Sequence, residues 1–415
     1  MRLQQSLLVA ALAALLLFGP VFALAESPEL VFGMSAPFSG ASRGLGIEYY
    51  RGLSAFLNAV NAEGGVNGRL LRVKAYDDGY NPIPTMRNTI QLVQQDKVFA
   101  LFSYVGTPTA TRILPLLKRF QREHVYLLFP LTGAQPLREP PYGEFVYNLR
   151  ASYFEETRGL VEHFLSLGRK RIAVFYQADA YGRNGWDGVC RALDEHGLSL
   201  SGDAAYQRGA RFSTDFGPEV EILKTSEPDA VITVGSYAAT AAFIRDARDH
   251  GLHVPVATVS FSDSDNMLKL LQAVEDRQNQ KGRYTRDLIC AQVVPSYEDQ
   301  RLPVVQKYRA LMDEHAAMPP HELLREPYVP HQYSFVSFEG FLNGMLLVEM
   351  IRRMDDNPDP ARIPEAMAAL DGWDFGLGQP LRFGTDCRQG LDRVYYVTVL
   401  GDRFVPVDDW SRWKK

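Results

Sequence analysis

At 415 residues the chain is long for one core and suits two domains. Hydrophobic residues at 46% and charged residues at 22% exclude a disordered chain, and a net charge of −5 excludes a strong basic field for nucleic acid or an anionic membrane. The three cysteines, Cys190, Cys290 and Cys387, are too few for a disulfide scaffold or a cysteine metal cluster and allow at most one disulfide.

The elements begin with a leader. Arg2 precedes an apolar run from Leu7 to Phe18, too short to span a bilayer, and Gly19-Pro20 breaks it. Ala23-Leu24-Ala25 then fits the small-x-small cleavage pattern. The sequence therefore predicts a signal peptide over 1–25, cleavage after Ala25, and an exported mature chain starting at Glu26. No cysteine at the cleavage point indicates a lipid anchor.

From there strands alternate with helices. Strands are predicted over 30–34, 70–76, 98–102 and 125–129, with helices over 50–61, 83–94 and 109–122 between them. The rhythm resumes with helices 153–167, 186–196, 218–224 and 238–250 among strands 171–176, 198–206, 230–234 and 254–259. Repeated strand-helix-strand units predict an α/β fold of parallel sheets covered by helices, and so many strands suit two sheets, with a seam at Leu149-Arg150-Ala151-Ser152. Helices follow near 264–278, 301–316 and 335–353. A proline-rich surface loop runs from Pro319 to Pro330, and a strand pair over 394–405 turns at Gly401-Asp402.

Enzyme motifs fail. Gly44-Leu45-Gly46 lacks the third glycine of a dinucleotide fingerprint, and no Walker-type loop is present. Gly235-Ser236-Tyr237 does not fit a nucleophile elbow. His321-Glu322 lacks the second histidine of a metal motif. No catalytic residue, metal or cofactor is assigned.

What remains are polar and aromatic groups at the C-terminal ends of strands, where open α/β sheets bind ligands. In Gly106-Thr107-Pro108-Thr109, Thr107 reads as a helix N-cap with Pro108 at the first helical position. A ligand carboxylate could meet that helix start, or the cap could serve its own helix alone. Pro130-Leu131-Thr132-Gly133-Ala134 follows the next strand. Asp179-Ala180-Tyr181-Gly182 and Gly235-Ser236-Tyr237 follow strands of the second sheet. Tyr181 and Tyr237 either face the first two loops across a cleft or pack within their own lobe.

At these positions the chain resembles the type I periplasmic solute-binding proteins of ABC transporters, specifically the branched-chain amino-acid (Leu/Ile/Val) binding group. The resemblance spans Leu30 to Val405. It rests on Asn61-Ala62-Glu63-Gly64-Gly65-Val66-Asn67-Gly68-Arg69, on Tyr76-Asp77-Asp78 and on the Tyr181-Gly182 turn. It implies two Rossmann-like lobes joined by three crossovers that close on a ligand. Lobe 1 would hold 26–149 and about 295–385, and lobe 2 would hold 150–294 and about 386–415.

The family's site carries over with gaps. Thr107 falls where a hydroxyl meets the ligand carboxylate. Leu131 and Gly133, flanking Thr132, fall at a backbone contact and a threonine, so Gly133 leaves only main chain. Tyr181 and Tyr237 match two aromatic positions, and Leu45 replaces a tyrosine. Ser260 stands where amino-acid binders have the acid that pairs the ligand ammonium, and Asp263 is the nearby acid that could move in. Tyr80 and Gly106 replace the cysteines of the family's first-lobe disulfide. The implied function is capture of a small amino acid, carboxylate or amide by a monomer and its delivery to a transporter permease. The alternative is the same clamp reporting to a membrane sensor kinase.

Overall fold

The computed structural model describes residues 28–384 and 387–415. The predicted leader and its cleavage point lie outside the described residues, as does the predicted lobe boundary at 385/386. The first half of the described chain runs β1 (Glu29–Ala36), α1 (Arg43–Ala62), β2 (Leu70–Asp77), α2 (Pro82–Ile90), β3 (Ala100–Phe102), α3 (Thr107–Arg119), β4 (Leu127–Leu128) and β5 (Val146–Tyr147). These strands form a parallel sheet in the order β2-β1-β3-β4-β5. Phe32, Met34 and Ala36 on one face of β1 and Gly33 and Ser35 on the other are all buried, as expected of a strand covered on both faces.

The chain then crosses into α4 (Tyr153–Ser166), β6 (Ile172–Gln177), α5 (Ala180–Asp194), β7 (Gly202–Tyr206), α6 (Gly217–Lys224), β8 (Ala230–Val234), α7 (Tyr237–Asp249), β9 (Val256–Thr258), α8 (Ser264–Gln278) and β10 (Leu288–Gln292). It continues through α9 (Pro303–His315), α10 (Phe335–Arg352) and α11 (Ile363–Ala368) to β11 (Tyr395–Leu400) and β12 (Arg403–Pro406). The second sheet has the order β12-β11-β10-β9-β8-β6-β7. It is not wholly parallel, because the predicted terminal strand pair joins its edge antiparallel to β10.

Between β10 and β11 the chain returns to the first sheet. There α10 crosses α1 at small residues: a Cβ on Gly52 would lie 1.7 Å from the Ser337 carbonyl oxygen, and one on Gly340 would lie 2.3 Å from that of Tyr49. Phe56 meets Phe341 edge-on, with ring centroids 5.3 Å apart. The first and last crossings run side by side, Asn148 N–H donating to the Arg388 carbonyl and Leu391 N–H to that of Leu149, each at 2.8 Å. Ser152 opens α4 with a capping box, accepting from Glu155 N–H at 3.2 Å while its own N–H reaches the Glu155 carboxylate.

Two helices begin earlier than predicted. α1 starts at Arg43 instead of residue 50, and α5 at Ala180 instead of residue 186. Glycine lowers helix propensity, but close packing requires it there: a Cβ on Gly46 would lie 2.1 Å from the Pro37 carbonyl oxygen, and one on Gly182 would lie 1.9 Å from that of Gln177. The three cysteines are free. Among the described residues no helix is long and apolar enough to cross a membrane.

Candidate functional site

The C-terminal ends of β3 and β4 carry the first wall. After β3, Gly106 takes φ 106° and precedes α3, so Gly106, not Thr107, is the cap residue. Thr107 is the first helical residue and Pro108 the second, which corrects the predicted cap. The Thr107 hydroxyl is thereby free of its helix. Buried, it pairs with the Thr132 hydroxyl at 2.7 Å and lies 3.5 Å from that of Tyr153. Leu131 spends its backbone inside the lobe, its N–H donating to the Tyr104 carbonyl and its own carbonyl accepting from Gly106 N–H. Gly133 is a glycine because Tyr153 needs the space: a Cβ there would lie 2.6 Å from Tyr153 Cδ1.

The second wall starts from α5 and α7. Asp179 caps α5 by accepting from Tyr181 N–H at 2.9 Å, which fixes Tyr181 at the helix start. Tyr181 is fully buried; its ring meets Tyr153 at 5.3 Å and Phe261 at 4.7 Å, and its hydroxyl donates to the Gly235 carbonyl at 3.4 Å. Thr107, Thr132, Gly133 and Tyr181 therefore converge on Tyr153. Tyr237, the first residue of α7, lies elsewhere along the same cleft. Its hydroxyl accepts from Gly44 N–H at 3.4 Å, bridging the lobes, and burial pushes the phenol up to about 12. The buried Leu45 follows Gly44 in α1.

Ser260 is bound to charge rather than carrying it. Its N–H and hydroxyl both donate to the Glu156 carboxylate, at 2.6 and 2.9 Å, and its oxygen accepts from Arg150. Arg150, in the first crossing, is 1% exposed and pairs with Glu156 at 3.2 Å and Glu339 of α10 at 3.5 Å. Its guanidinium lies 5.8 Å from the Tyr153 ring centre, and its Nε has no partner. Burial pushes both acids up against the pull of Arg150, Glu339 to about 7. Sequence reading named Arg150 only as part of a seam and missed Glu156 and Glu339, because positions 150, 156, 260 and 339 meet only in the fold.

Asp263 is near Gly44 but turned to its own helix. At φ 54° it caps α8, accepting from Asn266 N–H at 3.3 Å and from the Asn266 amide at 2.6 Å. Burial holds its carboxyl well above the usual range, which favours the neutral form.

The proline-rich loop does more than cover surface. It carries Tyr328, whose hydroxyl donates to Glu48 of α1 and accepts from the Asn266 amide of α8, both at 3.0 Å. Just beyond the loop, His331 reaches the same pair through its N–H and ring. Crevices of ≈ 620 Å³, beside Tyr237 and Tyr328, and ≈ 500 Å³, between Pro108 and Arg208, open between the lobes.

A model for periplasmic binding proteins matches residues 29–403. The chain belongs to the periplasmic binding protein family. A Pseudomonas aeruginosa protein named amino acid binding protein is 26% identical over 244 residues, which cover 58% of this chain and 61% of that relative, less than two thirds of its length. The solved structure of a possible leucine/isoleucine/valine-binding protein from Rhodopirellula baltica is 30% identical with a TM-score of 0.81, covering 95% of this chain and 100% of that one. A branched chain amino acid ABC transporter structure from Thermus thermophilus with bound valine has a TM-score of 0.77 at 17% identity, over 92% of this chain and 96% of that one, and shows likeness of fold. The type I fold of two α/β lobes is therefore that of a binding family and not of an enzyme.

Proposed function

We propose that this periplasmic binding protein captures a small polar ligand, an amino acid or a related carboxylate or amide, between its lobes. In this reading it is exported through its leader and works as a periplasmic monomer. It delivers its ligand to the permease of an ABC transporter. The observation that carries the reading is the buried junction where the Thr107 hydroxyl, paired with that of Thr132 at the strand ends of one sheet, lies 3.5 Å from the hydroxyl of Tyr153, which itself packs on Tyr181 at a strand end of the other. Type I sheets place their ligand-facing ends there.

Lobe 1 then comprises 26–149 with about 295–385, and lobe 2 comprises 150–294 with about 386–415. Thr107, Thr132 and the main chain at Gly133 supply the polar wall, Leu131, with its backbone spent inside the lobe, adds only its side chain, and Tyr181 and Tyr237 supply the aromatic wall. Ser260 and Asp263 lie at the cleft floor and end. Because Glu156 is already paired with Arg150 and Asp263 favours its neutral form, the cleft suits a carboxylate or amide better than a free ammonium. Ligand bridging both walls raises the closed population by its preference for that state.

A thermal-shift screen of residues 26–415 against amino acids, amides, keto acids and aromatic acids tests this. A ligand at 100 times its Kd adds about 2.7 kcal/mol, a shift of several degrees. No shift with any class would contradict small-polar-solute binding.

A further inference from the structure

The crevice of ≈ 620 Å³ beside Tyr237 and Tyr328 lies apart from the buried junction: none of Thr107, Thr132, Tyr153 and Tyr181 lines it. Three cations line it, Arg43, Arg211 and Lys269, and no carboxylate does. Arg43 begins α1, between β1 and β2, whereas Arg211 follows β7 and Lys269 lies on α8, among the elements of the second sheet. Positive charge therefore meets the opening from both lobes. Arg43 pairs with Glu326 at 3.3 Å, and its Nε has no partner. Lys269 donates to the Val329 carbonyl at 3.0 Å and has no acid partner among the described residues. Arg211 donates to the Thr214 hydroxyl through its backbone N–H, and among the described residues its guanidinium makes no ion pair. Behind Tyr328, Glu48 is paired with Arg51 at 2.8 Å, and Asp263 favours its neutral form.

One acid, Glu326, against three cations leaves two positive charges, so the crevice matches a dianion. Arginine forks suit the paired oxygens of a phosphate or carboxylate. The rest of the lining includes Phe212, Tyr237, Leu270 and Val329, an apolar wall in a space of small-molecule size. We propose that this crevice is a second ligand site, which takes a dianion with an apolar body, a phosphate monoester or a dicarboxylate, and that the dianion bridges the cations of both lobes and holds the clamp closed. It shares only Tyr237 with the polar and aromatic walls assigned above.

Isothermal titration at pH 8 of residues 26–415 with phenyl phosphate, phenylsuccinate, inorganic phosphate and phenol tests it. The proteins are the wild type, the Arg211→Gln/Lys269→Gln double variant and Thr107→Val, with circular dichroism confirming each fold. Arg211 and Lys269 are exposed, so their loss is compatible with folding. The wild type should bind one equivalent of phenyl phosphate or phenylsuccinate, the tighter of the two telling ester from dicarboxylate. That compound should bind at least tenfold more tightly than inorganic phosphate, which lacks the body, or phenol, which lacks the charge. The double variant should bind it about tenfold more weakly, and Thr107→Val as the wild type does. Small-angle scattering should show the wild type contracting as the dianion binds. No binding of either dianion, an unchanged affinity in the double variant, or equally tight binding of phenol or inorganic phosphate would overturn the proposal. So would loss of binding in Thr107→Val, which would place the dianion in the junction. An unchanged radius of gyration on binding would overturn the bridging.

Discussion

Gly106 and Tyr80 share one space. A Cβ on Gly106 would stand 2.3 Å from Tyr80 Cε2 and 2.8 Å from the Thr109 hydroxyl, and the backbone at Gly106 lies at φ 106°, where side chains are strained. The two positions that the resemblance pairs as a disulfide are here a ring and the gap that admits it. Gly133 and Tyr153 repeat the arrangement, and each tyrosine touches a residue from elements of the other sheet, Tyr80 at Phe261 and Tyr153 at Thr107.

Gly106→Ala should therefore destabilise the protein by roughly 1–3 kcal/mol, combining overpacking with a left-handed backbone. Repeating the change in a Tyr80→Ala background should cost less, because the steric part is gone and the backbone part remains. Urea denaturation of the four proteins measures the coupling. Strict additivity would mean that the ring does not constrain position 106.

Arg150 holds two acids out of water. Removing it as Arg150→Met should cost about 3–5 kcal/mol by leaving Glu156 buried and unpaired. Adding Glu156→Gln should recover a large part of that loss. A double variant as unstable as the single one would contradict the pairing.

Glu339 gives the fold a pH dependence. Burial raises its carboxyl from 4.5 to about 7, so folding favours the protonated form. Its stabilising share is fully present below 4.5 and is lost as the pH rises through about 7. Relative to wild type, Glu339→Gln should gain roughly 2–3 kcal/mol between pH 4.5 and 8. His331, pushed down to about 4 by burial beside Lys269 and Arg51, acts oppositely: its share is present above 6.5 and lost as the pH falls toward 4. Thermal melts across this range check both, and a flat difference between wild type and Glu339→Gln would refute the first.

Tyr328 ties the loop to both lobes. Tyr328→Phe removes the hydroxyl that joins Glu48 and Asn266 and should speed ligand release a few-fold while leaving association nearly unchanged. Stopped-flow dissociation reads this directly. An unchanged release rate would mean that the contact does not stabilise closure.

The β/α rhythm was legible because buried strands and amphipathic helices leave local patterns; β8 runs over Ala230–Val234 as the pattern predicts. Helix starts were less legible. Gly44, Gly46, Gly182 and Gly185 suggest loops, yet Gly44 and Gly185 are demanded by Asn266 and Val234 from elsewhere in the chain, and Gly46 and Gly182 by the backbone of Pro37 and Gln177 just before their helices. Thr107 was marked correctly as exceptional and given the wrong local role, since the positive φ of Gly106 carries no sequence signature beyond glycine itself. Ser260 was recognised as lacking an acid, but the acid that meets it is Glu156, from a helix 104 residues earlier.

In the proposed binding mode, ligand is held between the lobes by the Thr107–Tyr181 junction. Isothermal titration of a compound identified by the thermal screen, against wild type and the near-isosteric Thr107→Val, with Tyr181→Ala and Tyr237→Ala beside it and circular dichroism confirming each fold, tests it most directly. Affinity should fall by about tenfold or more in folded Thr107→Val, as expected when a hydrogen bond to a charged group is lost. Unchanged affinity in all three variants would place the ligand elsewhere and contradict the account.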